Sequence, residues 1–159
     1  MTMFRVWINS TPQQVWDAIV DPAFNARYGY GLASEYELHP GGSFLVRQPE
    51  EMVSKGAPAV MIDGEVLEID PPKRLVQTWH ANFTPETAAE PPQRVTYLIE
   101  EEGDGLVILT VTHELDDAPA TALFVNGDAE LGGRGGFPMM LSDLKTFLET
   151  GKSFRLPSN

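Results

Sequence analysis

Cysteine is missing altogether from the 159 residues of this chain. That excludes disulfide staples, thiol nucleophiles and cysteine-ligated zinc, and it fits a reducing compartment. Cationic side chains are scarce as well: 11 lysines and arginines stand against 23 aspartates and glutamates, a net charge of −12. Nucleic-acid affinity rests largely on lysine and arginine neutralising phosphates, so such a surface repels a duplex and, equally, an anionic bilayer. No apolar run approaches the roughly 18 residues that a membrane-spanning helix requires. The opening Met1-Thr2-Met3-Phe4-Arg5-Val6-Trp7-Ile8 lacks the basic and then apolar regions of a signal peptide. The expectation is a soluble, cytoplasmic protein that binds neither nucleic acid nor membrane.

What is present is globular. Hydrophobic residues make up 42% and charged residues 21%, enough for one domain with a real core. No internal repeat or dividing linker interrupts the chain. Phe4, Val6 and Ile8 alternate with Arg5 and Asn9, with Trp7 on the second face, which predicts a strand. Thr11-Pro12-Gln13-Gln14 predicts a helix start, with Thr11 as cap, Pro12 at the first helical position and Gln14 completing a capping box. Asp21-Pro22 ends that helix, and residues 23–27 form a second, short one. From residue 33 the pattern is strand and turn. Residues 35–38 and 43–47 flank a turn at His39-Pro40-Gly41-Gly42, and residues 60–69 and 74–80 flank Asp70-Pro71-Pro72-Lys73. Residues 94–101 and 106–115 are joined by Glu102-Gly103-Asp104-Gly105. The proline-bearing stretches 49–58 and 82–92 read as exposed loops. After Leu115 the period changes. Phe137, Met140, Leu141, Leu144, Phe147 and Leu148 fall at offsets 0, 3, 4, 7, 10 and 11, a helical stripe, and Gly151 closes it. A run of antiparallel strands with segregated helices is α+β. One long helix laid across a curved sheet buries its stripe and leaves space near its N-terminal half.

Three stretches carry a family resemblance. Residues 64–79, Gly-Glu-Val-Leu-Glu-Ile-Asp-Pro-Pro-Lys-Arg-Leu-Val-Gln-Thr-Trp, form the most specific one. Residues 94–114 and the closing 135–151 are the others, and Val15-Trp16-Asp17-Ala18 with Asp21-Pro22 matches the family's opening helix. Together they resemble the bacterial proteins related to the activator of the heat-shock-protein-ninety ATPase, within the START-like (SRPBCC) superfamily. The resemblance implies a helix-grip fold of about six to seven strands over residues 1–151, with 152–159 as a tail. It carries no shared catalytic motif. Many relatives place a tryptophan just after the second helix, where this chain has Tyr28-Gly29-Tyr30-Gly31, so the pocket mouth is expected to differ in shape and polarity.

Aromatic and sulfur residues are the main sign of a pocket. Trp16, Phe24, Tyr28, Tyr30, Phe44, Met61, Trp79, Phe124, Phe137 and Met140 are spread over the elements that would surround such a space; the competing reading is a filled core. His113 shares a strand face with Val107, Leu109, Val111 and Leu115. There it is either a core histidine paired with a polar neighbour or a donor or acid–base group for a ligand. Glu65 alternates with Met61, Leu67 and Ile69, so an inward carboxylate with a raised pKa is one reading and a solvated strand residue the other. Arg134, inside Gly132-Gly133-Arg134-Gly135-Gly136, would pair with an acidic ligand group or with a surface carboxylate. That glycine cluster lacks the Lys-Ser/Thr and the preceding strand of a phosphate loop; glycines there point to close backbone approach. The histidines show no metal-ligand spacing, and neither metal nor cofactor is expected. The leading expectation is a binding module for a small apolar or amphipathic molecule. A cyclase- or hydrolase-type enzyme and a regulator of a chaperone ATPase or stress-response partner are the alternatives, and a homodimer stays open.

Overall fold

The protein is described by a computed structural model over residues 1–128 and 135–157. In chain order the elements are β1 (Thr2–Asn9), α1 (Pro12–Val20), α2 (Pro22–Asn25), β2 (Ser34–Tyr36), β3 (Ser43–Arg47), α3 (Glu50–Ser54) and β4 (Val60–Asp70). They continue with β5 (Arg74–Ala81), α4 (Pro85–Ala88), β6 (Gln93–Gly103), β7 (Leu106–His113), α5 (Pro119–Val125) and α6 (Gly136–Thr150). The strands form one antiparallel sheet in the order β1-β7-β6-β5-β4-β3-β2. The α+β order read from the sequence holds, and the curved sheet with its closing helix is a helix grip.

Register follows the apolar alternation, because a one-residue slip would expose the whole inner face. On β1 and β7, Phe4 opposes Val111, Val6 opposes Leu109 and Ile8 opposes Val107, while Trp7 turns outward and donates from Nε1 to Glu102 at 2.9 Å. Strand β4 breaks the rule. Its inward residues are Ile62, Gly64 and Val66, opposite Val46, Phe44 and Gln77. A β-bulge between Val66 and Glu68 then resets the phase, and Ile69 opposes the fully buried Leu75. One extra residue in one strand shifts every later side chain to the other face. Gly64 is required where the strands approach: a Cβ there would lie 2.0 Å from the Thr78 carbonyl oxygen.

At the helix ends the sequence reading needs two corrections. Thr11 does cap α1, accepting from the Gln14 N–H at 3.3 Å. The Gln14 side chain does not close the box; it accepts from the Ser10 hydroxyl at 2.8 Å. The stretches read as loops contain α3 and α4, and α4 owns a reciprocal cap in which the Thr84 and Thr87 side chains bond each other's backbone N–H. Short helices with little apolar periodicity leave almost no sequence signal.

Helix α6 seats Phe137, Leu141, Leu144 and Phe147, all buried, against the sheet. Each such side chain contributes about 1.5–3 kcal/mol on leaving water. The same helix carries a fully buried carboxylate, Asp143. It accepts from the Gly29 N–H at 2.8 Å, the Ser153 hydroxyl at 2.5 Å and the Phe154 N–H at 2.8 Å. One side chain therefore ties the loop after α2 and the segment after Gly151 to α6, and Leu156 lies over Gly31. Replacing Asp143 by alanine orphans these donors. Urea unfolding is expected to show a loss of roughly 3 kcal/mol, with limited proteolysis cutting after Gly151 sooner than in the parent; an unchanged midpoint and unchanged cleavage would refute this tie.

Candidate functional site: a pocket between the sheet and the closing helix

A pocket of about 440 Å³ opens between the concave sheet and the N-terminal half of α6. Its floor comes from the inward residues of β3–β6, with Phe44, Val46, Ile62, Trp79 and Tyr97 among them. One wall is Phe137, Met140, Leu141 and Leu144 of α6, and the cap is Phe83, Phe124 and Val125 from the segments around α4 and α5. The rings touch: Trp79 meets Phe83 edge-on at 6.0 Å, Phe83 meets Phe124 at 5.0 Å, and Tyr36 meets Phe44 at 4.8 Å. Gly136 stands where α6 crosses α5. At φ 50° it lets the backbone pass so close to the Phe124 and Val125 carbonyls that a Cβ would fall within 2.5 Å of both. Close approach was the reading of this glycine cluster, and for Gly136 the neighbour is α5.

Glu90 fastens the cap. Its carboxylate accepts from the Ala120 N–H at 2.7 Å, the Thr121 N–H at 2.8 Å and the Thr121 hydroxyl at 2.6 Å. Although partial burial works the other way, these bonds lower its pKa. On the other side of α4, His80 has Asp63 Oδ2 3.1 Å from Nδ1 and the Ala88 carbonyl 2.9 Å from Nε2. Burial pulls this imidazole down, but the two acceptors outweigh it and the net shift is upward.

Among the residues singled out in the sequence, Tyr28, Tyr30, Phe44, Met61, Trp79, Phe124, Phe137 and Met140 line the pocket. Trp16 does not; it is a buried core residue of α1 itself. Phe24 does not either, being 37% exposed on α2. Glu65 points away from the pocket: it is exposed, and its backbone N–H donates to Thr78 Oγ1 at 2.9 Å. The sequence pattern grouped it with Ile69 because the bulge at Leu67 is invisible in it. Arg134 lies outside the described residues. Tyr36, Phe83 and Tyr97 line the pocket without having been singled out. Tyr97 had a signal, the Val95–Tyr97–Ile99 alternation; Phe83 follows a strand end in a proline-bearing stretch and had none.

His113 sits behind the pocket wall. It is wholly buried, 5.1 Å edge-on from Trp79 and 5.9 Å from Phe137. Its Nε2 is 3.4 Å from Gln93 Oε1, while its Nδ1 has no partner among the described residues. Burial pulls its pKa from 6.5 down to about 4. His39 is exposed, and among the described residues no three potential ligands gather into a metal cluster. A second hollow of about 500 Å³, beside Arg27, Lys152 and Leu156, lies between α2 and the C-terminal segment.

An antiparallel sheet gripping a C-terminal helix over an aromatic pocket defines the class. The chain belongs to the family of Activator of Hsp90 ATPase homolog 1-like proteins, whose sequence profile matches residues 9–149. Solved structures share the fold. CalU16 from Micromonospora echinospora is 23% identical, with a TM-score of 0.63 over 94% of this chain and 76% of that one. SSP2350 from Staphylococcus saprophyticus is 20% identical, with 0.67 over 98% and 96%. PFC0360w, an HSP90 activator from Plasmodium falciparum, is 19% identical, with 0.63 over 94% and 97%. No curated protein matches the chain. Among the described residues no helix is long and apolar enough to cross a membrane.

The His113 environment fixes a pH dependence. The unfolded chain binds a proton near pH 6.5 and the folded one only near 4, so acid favours unfolding and stability rises with pH between these values. Its part in the unfolding free energy at neutral pH is about 3 kcal/mol above its value below pH 4. Urea unfolding at a series of pH values is expected to show this slope, reduced in His113→Leu; parallel curves for the two proteins would contradict the assignment.

Proposed function

We propose that this protein is a binding module for a small apolar or amphipathic molecule held between the sheet and α6. The observation that carries the reading is the lining: about 440 Å³ of space walled mainly by aromatic and aliphatic side chains, in the size range and chemistry of small-molecule sites. Binding is favoured over turnover because neither His113 nor Glu65, the acid–base candidates, lines the pocket. The membership in a family named for a chaperone activator supports a second, compatible reading, in which the domain acts on a larger partner protein. The net charge of −12 would then steer it toward a basic surface.

A ligand that binds only the folded form raises the melting temperature. At a hundredfold excess over Kd the stabilisation is about 2.7 kcal/mol, or roughly 5–10 °C for a chain of this size. Native mass spectrometry of protein purified from its own cells identifies a carried molecule directly. Leu32→Trp fills the pocket from a half-buried position and is expected to abolish both the carried mass and the thermal shift while the circular dichroism spectrum is kept. A shift that survives this substitution in full would move the binding site elsewhere.

A further inference from the structure

We propose that the pocket selects an uncharged aromatic compound bearing a carbonyl-type oxygen, and that the Tyr97 hydroxyl donates the hydrogen bond to that oxygen. This rests on the pocket being the binding site.

The polar groups of the lining decide the ligand's chemistry. Among the described residues no aspartate, glutamate, lysine, arginine or histidine lines the space. An ionised ligand would give up its hydration there without a counter-charge, at a cost of several kcal/mol. The polar groups that do line it are mostly engaged with the protein itself. Asn25 donates to the Ile19 and Ser34 carbonyls and accepts from the Ser34 N–H. Tyr28 donates to the Ala18 carbonyl at 2.9 Å, and Tyr36 donates to Gln77 Oε1 at 2.6 Å.

Tyr97 differs. It is more than nine-tenths buried, borders the pocket, and makes no hydrogen bond to a described residue. The one wholly enclosed side-chain atom without a partner among the described residues is His113 Nδ1. The Tyr97 hydroxyl therefore reaches open space, and the space its ring borders is the pocket. A phenol keeps one proton to give, and leaving it without an acceptor in an apolar site is costly. Burial holds Tyr97 protonated well above neutral pH. After burial, Tyr97 is the next largest influence raising Tyr28 and Tyr36, which places the three phenols together. Two of them have already given their protons to the protein, which leaves Tyr97 as the donor of the group. The surrounding rings favour a ligand body that is itself aromatic, since offset and edge-on ring contacts add to area burial.

The test is calorimetric titration of the whole chain with three probes of similar shape: benzophenone, diphenylmethane and diphenylacetate. For the parent protein at pH 7, benzophenone is expected to bind roughly fivefold tighter than diphenylmethane, and diphenylacetate the most weakly. In Tyr97→Phe the ketone preference falls to about one while the diphenylmethane affinity is kept, and the fold survives because Tyr97 makes no hydrogen bond that its loss would break. Equal affinity for ketone and hydrocarbon, a preference that persists in Tyr97→Phe, or tightest binding of the carboxylate would each overturn the assignment while leaving a binding module. Binding of none of the three would overturn the module and this assignment together.

Discussion

The seating of α6 in the concave sheet governs everything else in the molecule. Its apolar stripe fills the sheet's curve toward its C-terminal end, where Leu144 and Phe147 reach the core. Toward its N-terminal end the same stripe borders open space, so Phe137, Met140 and Leu141 are at once core and pocket wall. Asp143, on the same helix, secures the loop at Gly29 and the C-terminal segment. A single amphipathic helix thus sets the depth of the pocket, holds the loop that carries Tyr28 and Tyr30, and fixes the path of the last residues. Movement of this helix would change all three together.

The chemistry of the space follows from what the fold permits near its floor. Strand residues that face inward must be apolar or paired, and the inward faces of β5 and β6 obey this with two exceptions that find partners, Gln77 with Tyr36 and Gln93 with His113. Tyr97 satisfies the apolar requirement with its ring and leaves only its oxygen to be accounted for. His113, one strand further on, has no comparable opening. Behind Trp79 and Phe137 it is a neutral core residue whose burial makes protonation costly, and the core reading of this histidine is the one that its surroundings support.

Much of the fold was legible in the sequence because long elements advertise themselves. The α6 stripe and the β1 and β7 alternation each involve several residues repeating one period, the turn at Glu102–Gly105 carries its own glycine and aspartate signature, and the structure keeps all of them. Three short helices did not announce themselves, unlike α2, which the Asp21-Pro22 start gave away. Helices α3, α4 and α5 span 5, 4 and 7 residues, too few for a period, and α4 depends on a Thr–Thr cap outside the usual Ser/Thr-to-Glu/Gln pattern. The pocket was legible in part for the same reason. Phe137 and Met140 came from a helical stripe and Trp79 from a strand, whereas Phe83 reaches the cap only through the tertiary path of a loop. Glu65 marks the other kind of failure, in which a regular pattern is interrupted by one unpaired residue.

That interruption has a consequence for how the chain can vary. Strand β4 is two shorter strands spliced at Leu67, each with its own parity, and the splice is a place where losing one residue leaves both inward faces as they are. Pairing the strand straight through with every residue kept would force a choice: either Ile69 swings out to water or Glu65 swings in beside Phe44, whereas deleting the extra residue would leave Ile62, Gly64, Val66 and Ile69 in one unbroken alternation. A neighbouring turn such as the one at Asp104 could gain or lose a residue without turning any strand inside out. In relatives of this chain, single-residue gaps should therefore gather at the hairpin tips and at the splice, and avoid the regularly paired stretches of β4 on either side of it.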